Sequence, residues 1–214
     1  MSRLEEKLEK GLKFTGIEIT EEQKALLLNF IRLMDKWNKT YNLTSIRDVE
    51  QMVDKHLIDS IVVSEYLKGS TFIDVGTGPG LPGIPLAIIN PDKNFYLLDS
   101  QSKRINFIKQ VKREFNIKNI FPILGRCENF ENSQANPVHF DGILSRAFAS
   151  LKDMLSLCGN MADQDTLFLA LKGQIDTAEL SEISDEYKII NINKLKVPQI
   201  LGERHLIVIG KNNG

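Results

Sequence analysis

The residues best placed to do chemistry lie in one stretch, Phe72-Ile73-Asp74-Val75-Gly76-Thr77-Gly78-Pro79-Gly80-Leu81-Pro82-Gly83. An apolar run with an acid near its end passes into four glycines within eight positions, and Ile84-Pro85-Leu86-Ala87-Ile88-Ile89 follows as a helix. A strand, a glycine turn and a helix start make a ligand cradle. Glycine permits positive φ and close approach to the backbone, and the helix start presents N–H groups with no intrahelical partner. A plain connector would serve with fewer glycines. Gly78-x-Gly80-x-x-Gly83 fits the dinucleotide fingerprint, with Asp99 at about the spacing expected of its ribose acid. Pro79, Pro82 and Pro85 argue against a pyrophosphate, because each lacks the N–H it would need.

Asp74 adds a second signal, because Asp74-Val75-Gly76-Thr77-Gly78-Pro79-Gly80 resembles the first motif of S-adenosylmethionine methyltransferases. The resemblance implies that Asp74 and the backbone at Gly76 and Gly78 hold the methionine end of that cofactor. Open α/β sheets bind ligands beyond the carboxyl ends of their strands, and several strand ends here carry polar residues. Asp99, with Ser100 and Gln101, ends a strand where a carboxylate can accept from both ribose hydroxyls; Asp99 or Ser100 could equally cap the next helix. Cys127 and Glu128 follow another strand, where an adenine amino group and ring could meet Glu128 and the Cys127 N–H; Cys127 also reads as a small buried hydrophobe. Arg146 directly follows a buried strand, where substrate-positioning residues tend to sit.

These residues need a sheet to place them. Strand patterns fall at 71–75, 94–98, 119–124, 140–145 and 166–171, with helices at 81–89, 102–115, 151–161 and 176–183. Such alternation implies a parallel, doubly wound α/β sheet with right-handed crossovers. Residues 187–197 and 205–210 read as a closing antiparallel hairpin around the 198–203 turn. Residues 1–66 form a helical extension and 67–214 the main domain. Leu4, Leu8 and Leu12 recur at helical spacing, Thr20 and Gln23 form a capping box, and an apolar face runs from Leu26 to Trp37. A third helix is expected over 48–66, with His56 partly buried on it. The loop between these helices, with Asn38, Lys39 and Arg47, reads either as an RNA-contacting segment or as a polar turn over buried aromatics. Lys103 and Arg104, on the cleft end of a basic helix, are better RNA candidates than the solvated lysines behind them. Residues 131–137 read as a loose loop.

The 214-residue chain is 42% hydrophobic and 26% charged, with net charge −1. An RNA partner would therefore need a local basic patch. No apolar run approaches a membrane span and no secretory segment leads the chain, so a cytoplasmic protein is expected. Two cysteines and three scattered histidines make neither a disulfide framework nor a metal site.

Trp37-Asn38-Lys39-Thr40-Tyr41-Asn42-Leu43-Thr44, His56-Leu57-Ile58-Asp59-Ser60, the 74–83 turn, Leu97-Leu98-Asp99-Ser100, Ser145-Arg146-Ala147-Phe148-Ala149 and Leu171-Lys172-Gly173 together resemble the RsmG family, also called glucose-inhibited division protein B. The resemblance spans nearly the whole chain. It implies a Rossmann-like methyltransferase that uses S-adenosylmethionine to modify N7 of a guanosine in the 530 loop of 16S ribosomal RNA. It also implies cofactor contacts from Gly76, Leu81, Asp99, Ser100, Gln101, Cys127, Glu128 and Arg146. Arg146, Lys103 and Lys172 are candidates to reach the guanine edge, where N7 and O6 are acceptors. The chain is expected to act as a monomer on the RNA or the small ribosomal subunit, without a metal. A small-molecule methyltransferase, an NAD-dependent oxidoreductase and a non-catalytic adaptor are the rival readings.

Overall fold

The computed structural model describes residues 2–130, 137–146, 148, 150–198 and 202–212. Seven strands form one sheet: β1 (Thr71–Val75), β2 (Asn94–Asp99), β3 (Ile120–Leu124), β4 (Gly142–Ser145), β5 (Leu167–Lys172), β6 (Tyr187–Lys194) and β7 (His205–Lys211). Their order is β3-β2-β1-β4-β5-β7-β6. The first five are parallel, and β7 runs antiparallel between β5 and β6. The chain moves outward from β1 to β3, then returns to the other side of β1 at β4. This reversal opens a crevice beyond the carboxyl ends of β1 and β4, where such sheets bind ligands.

Alternate residues of the strands face opposite layers. Phe72, Phe95, Leu97, Leu144 and Leu169 join a core on one side, while Ile73, Val75, Leu98, Ile143 and Phe168 join another on the opposite side. The N-terminal helices α1 (Arg3–Thr15) and α2 (Glu21–Tyr41) bury Leu8, Leu27, Phe30 and Met34 in the first of these cores. They share that core with α5 (Gly83–Ile89) and α6 (Ser102–Glu114).

The expected helices form, with differences in their ends. The Thr20–Gln23 capping box starts α2 as anticipated, but the helix continues into the first half of the expected loop and stops at Asn42, whose φ is 50°. Phe30, Met34, Trp37 and Tyr41 keep the helical period. Trp37 packs on Phe107 of α6 at 5.4 Å between ring centroids and on Tyr41 at 5.0 Å. This packing overrides the polar Asn38-Lys39-Thr40 run. The third helix is broken into α3 (Val49–Met52), a π-helical turn Val53–Ile58, α4 (Asp59–Ile61) and a 3₁₀ turn Ser64–Tyr66. π-turns are rare and gather at functional sites; nothing in the 48–66 periodicity announces this one. The helix expected over 151–161 ends as α7 (Leu151–Cys158) and a 3₁₀ turn, and the last helix is α8 (Thr177–Ser181), capped by Asp176. Residues 131–136 of the expected loop and 199–201 of the hairpin turn lie outside the described residues.

Candidate active site at the switch point

The glycine turn is built from its hydrogen bonds. Gly76 and Thr77 donate N–H to the Leu98 carbonyl at 2.9 and 3.1 Å, tying the turn to the end of β2. Gly76 holds this path at φ +67°. Gly78 then donates to Asp99 Oδ2 at 2.9 Å. The same oxygen accepts from Arg104 Nη1 at 3.1 Å, while Oδ1 accepts from the Gln101 N–H at 2.8 Å. Asp99 is only 3% exposed. It is thus an anchor of the turn as well as the strand-end acid expected at a ribose.

Asp74 lies deeper. It is fully buried beneath the turn, where Oδ2 accepts from the Thr77 hydroxyl at 2.7 Å and from the Gly83 N–H at 2.9 Å. A Cβ at residue 83 would fall 2.1 Å from Leu97 and 2.9 Å from Asp74 Oδ2, so only glycine lets α5 begin this close. Direct contact between Asp74 and a cofactor is not what this burial provides: Asp74 shapes the loop from below. Its Oδ1 has no hydrogen-bond partner among the described residues. Burial pushes the carboxyl up to about 6, against the opposing pull of Thr77, Gly83 and Arg146.

That shift has a consequence for stability. The folded state binds the Asp74 proton more tightly than the unfolded chain does. Its contribution is therefore complete below the unfolded value of 3.8 and is lost as pH rises through about 6. Asn at this position keeps an acceptor for Thr77 and Gly83 without the charge. Asp74→Asn is expected to stabilise the ligand-free protein near pH 7.5, by up to about 3 kcal/mol on the linkage scale, and to do so much less near pH 4.5. Thermal unfolding at the two pH values checks this; an equal effect at both would contradict it.

Two cavities meet at Gly76 and Arg104, which line both. The larger, about 630 Å³, is bordered by Gly78, Leu81, Arg146 and Lys172, together with Ile46, His56, Asp59 and Arg204 from outside the main motifs. The smaller, about 280 Å³, is bordered by Asp99, Ser100, Cys127, Glu128 and Phe148. The strand-end residues therefore converge on one elongated crevice, although Gln101 borders neither cavity and contributes its N–H to Asp99. The Cys127 thiol is 3.3 Å from Glu128 Oε2, and burial with this contact raises its pKa. A buried thiol of that kind is a poor nucleophile.

His56 projects from the π-turn into the larger cavity. Its Nδ1 faces the Lys55 carbonyl at 3.1 Å, and its Nε2 lies 3.0 Å from the Thr44 hydroxyl. This places the proton on Nδ1, with Nε2 accepting. Burial, then the neighbouring Arg146 charge, lower its pKa from 6.5 to about 4, so the ring is neutral at physiological pH.

A family model described as rRNA small subunit methyltransferase G matches residues 23–207. The chain belongs to this family. A Haemophilus ducreyi protein named Ribosomal RNA small subunit methyltransferase G is 54% identical over 208 residues, spanning 97% of this chain and all of that protein. The Glaesserella parasuis protein of the same name is 51% identical over 96% of this chain and 98% of its own length. Among solved structures, M. capricolum TrmK in complex with S-adenosyl-homocysteine has a TM-score of 0.55 at 20% identity, covering 70% of this chain and 66% of that one. A fibrillarin/Nop5p complex has a TM-score of 0.55 at 16% identity, covering 73% and 80%. At these identities the structural likeness speaks to the fold alone, a Rossmann-like, mostly parallel sheet closed by an antiparallel hairpin.

The RNA-facing expectations for this family member need one correction. Asn38 is 1% exposed; its amide donates to the Ile46 carbonyl at 3.0 Å and its Oδ1 accepts from the Thr44 N–H at 2.9 Å. It clamps the 42–47 loop and does not present its side chain to a partner. Arg47 is exposed but braces the same loop through the Asn38 carbonyl and Asn42 Oδ1. Lys39, paired with Asp35 at 3.0 Å, and Lys103 are exposed. Lys172 is half-buried and paired with Glu179 at 2.7 Å. Two cleft residues carry no site role in the sequence reading: Asp59, which enters it only within the His56–Ser60 stretch, and Arg204. The available signals were an acid inside the apolar Leu57-Ile58-Asp59-Ser60-Ile61 run and an arginine at the mouth of a buried strand.

Proposed function

We propose that the protein transfers the methyl group of S-adenosylmethionine to N7 of a guanosine in the 530 loop of 16S ribosomal RNA. The observation that carries this reading is the single crevice joining the glycine turn, the β2 and β3 strand ends and Arg146, in a chain of this family. The combined space falls within the usual range for small-ligand sites, about 300–1,000 Å³. Gly76 and Gly78 would run along the methionine end, Asp99 with Ser100 would take the ribose, and Cys127 with Glu128 would border the adenine. Leu81, which is buried, and Arg146 line the larger cavity; Leu81 would back the cofactor and Arg146 would face the substrate.

When bound, the cofactor supplies an electrophilic methyl group on a sulfonium. The chain's contribution is placement: orienting the base, holding the cofactor and limiting water, which together can supply much of the barrier reduction. N7 carries a free lone pair, so no side chain needs to remove a proton before transfer. His56 is held neutral with its Nε2 hydrogen-bonded to Thr44, a structural arrangement that fits this absence of a general base. The exposed Lys39, Arg47 and Lys103 would meet the RNA backbone despite the near-neutral whole chain, whereas Arg104 is held by Asp99 at 3.1 Å. Among the described residues no helix is long and apolar enough to cross a membrane, and no cluster of His, Cys, Asp and Glu could hold a metal ion. We infer a cytoplasmic monomer acting on the RNA or the small subunit.

Single-turnover methylation of small ribosomal subunits, with subunit and cofactor saturating, tests the mechanism. The rate is expected to be nearly flat from neutral to mildly alkaline pH, and His56→Ala is expected to leave that profile flat. Because His56, with a pKa of about 4, is already neutral over this range, its test is the rate itself. A loss of about a hundredfold or more in the single-turnover rate of His56→Ala with normal cofactor and subunit binding, or a tenfold rise per pH unit in the wild type, would mean general-base catalysis and a different target atom. Saturation matters, because RNA affinity is salt-dependent.

A further inference from the structure

Asp59 links three distant parts of the chain. It follows the π-turn and is 7% exposed. Its Oδ2 accepts from Arg146 Nη1 at 3.0 Å, beyond β4, and its Oδ1 accepts from Arg204 Nε at 3.2 Å, ahead of β7. Arg204 also donates through Nη1 to the Glu203 carbonyl at 2.9 Å. Both arginines border the larger cavity. Among the described residues neither pairs with another carboxylate. Two guanidinium groups gathered this closely would repel without the shared anion.

The geometry points to Asp59 as a positioning residue for methyl transfer. It fixes Arg146 and Arg204 as a paired donor set for an acceptor oxygen of the target nucleotide, either O6 of the base or an adjacent phosphate. This rests on the RNA methyltransferase reading. An arginine spanning N7 and O6, the usual way to read guanine, would occupy the lone pair that must attack. The pair is therefore assigned to oxygen, leaving N7 open.

Charge and position predict opposite results here. Asp59→Asn removes a negative charge from a cleft that receives a polyanion, so charge alone predicts tighter subunit binding. Positioning predicts the reverse. Full-length protein would be assayed with unmethylated small ribosomal subunits and labelled S-adenosylmethionine. Absence of transfer by the wild type would remove the parent reading and this inference together. With an active wild type, Asp59→Asn is expected to lower kcat by about ten- to a hundredfold, the scale of a small misplacement, and to raise KM for subunits. S-adenosylhomocysteine affinity, read by calorimetry, should stay close to wild type. Adding Asp59→Asn to Arg204→Gln should cost less than it does in the wild type, because the acid acts through the arginines. Asp59→Glu keeps the charge but displaces the carboxylate, and it should also lower kcat, which tests the point if the Asn variant folds poorly. Loss of one unit of salt slope in Arg204→Gln assigns that side chain to phosphate, and an unchanged slope to O6. Wild-type turnover in Asp59→Glu, tighter subunit binding with normal kcat in Asp59→Asn, or full additivity with Arg204→Gln would overturn the inference.

Discussion

Gly76→Val is expected to abolish cofactor binding, with affinity reduced by at least about a hundredfold, or some 3 kcal/mol. Two effects combine. Gly76 holds φ at +67°, a region that costs an L-residue about 1–2 kcal/mol and suits a β-branched side chain worst. It also lines both cavities, so an isopropyl group on this backbone would compete with the cofactor for space. The turn can relieve strain only by giving up the Gly76 and Thr77 hydrogen bonds to Leu98. Calorimetry with S-adenosylhomocysteine checks the loss, and circular dichroism checks that the variant is folded. Normal binding by Gly76→Val would mean that the cradle lies elsewhere.

Asp99→Ala is the second large effect. A ribose acid alone would cost some tens-fold in affinity, through the loss of charge-assisted hydrogen bonds worth about 2–3 kcal/mol. The structure raises that expectation, because Asp99 also receives the Gly78 N–H, the Gln101 N–H and Arg104. Alanine would strand these donors, each costing about 1–3 kcal/mol where water cannot reach it. Affinity is expected to fall by about a hundredfold or more, and the melting temperature should fall with it. The loss of stability follows from its place, because Asp99 is the last residue of β2, one position beyond the 94–98 strand pattern, and is part of the fold. Unchanged affinity with a lowered melting temperature would reduce Asp99 to a loop anchor.

The sheet was legible because its signals are local. Apolar β runs, glycine punctuation and amphipathic helices each announce themselves within a few residues, and the order βαβα followed by a hairpin implies the topology. The strand-end rule then found Gly76, Asp99, Cys127, Glu128 and Arg146 without knowledge of their neighbours. Three features resisted because they depend on tertiary contacts. The end of α2 was hidden because Trp37 packs on Phe107, a residue of another helix. Asn38 read as an available amide, yet its partners are the backbones of Thr44 and Ile46 in the folded loop. Asp59 is joined to Arg146 and Arg204 across 87 and 145 positions of sequence. No window of the chain displays that pairing, and the π-turn that aims His56 and Asp59 at the cleft has no compositional mark.

Methyl transfer to a single guanosine N7 is read out by mass spectrometry of the 530-loop fragment of 16S ribosomal RNA. RNA from cells carrying the gene should contain N7-methylguanosine at a single position, and RNA from cells lacking it should not. Wild-type protein should restore the mark and Gly76→Val should fail to do so. A fragment with the same mass and the same N7 methylation in both strains would mean that another enzyme places the mark.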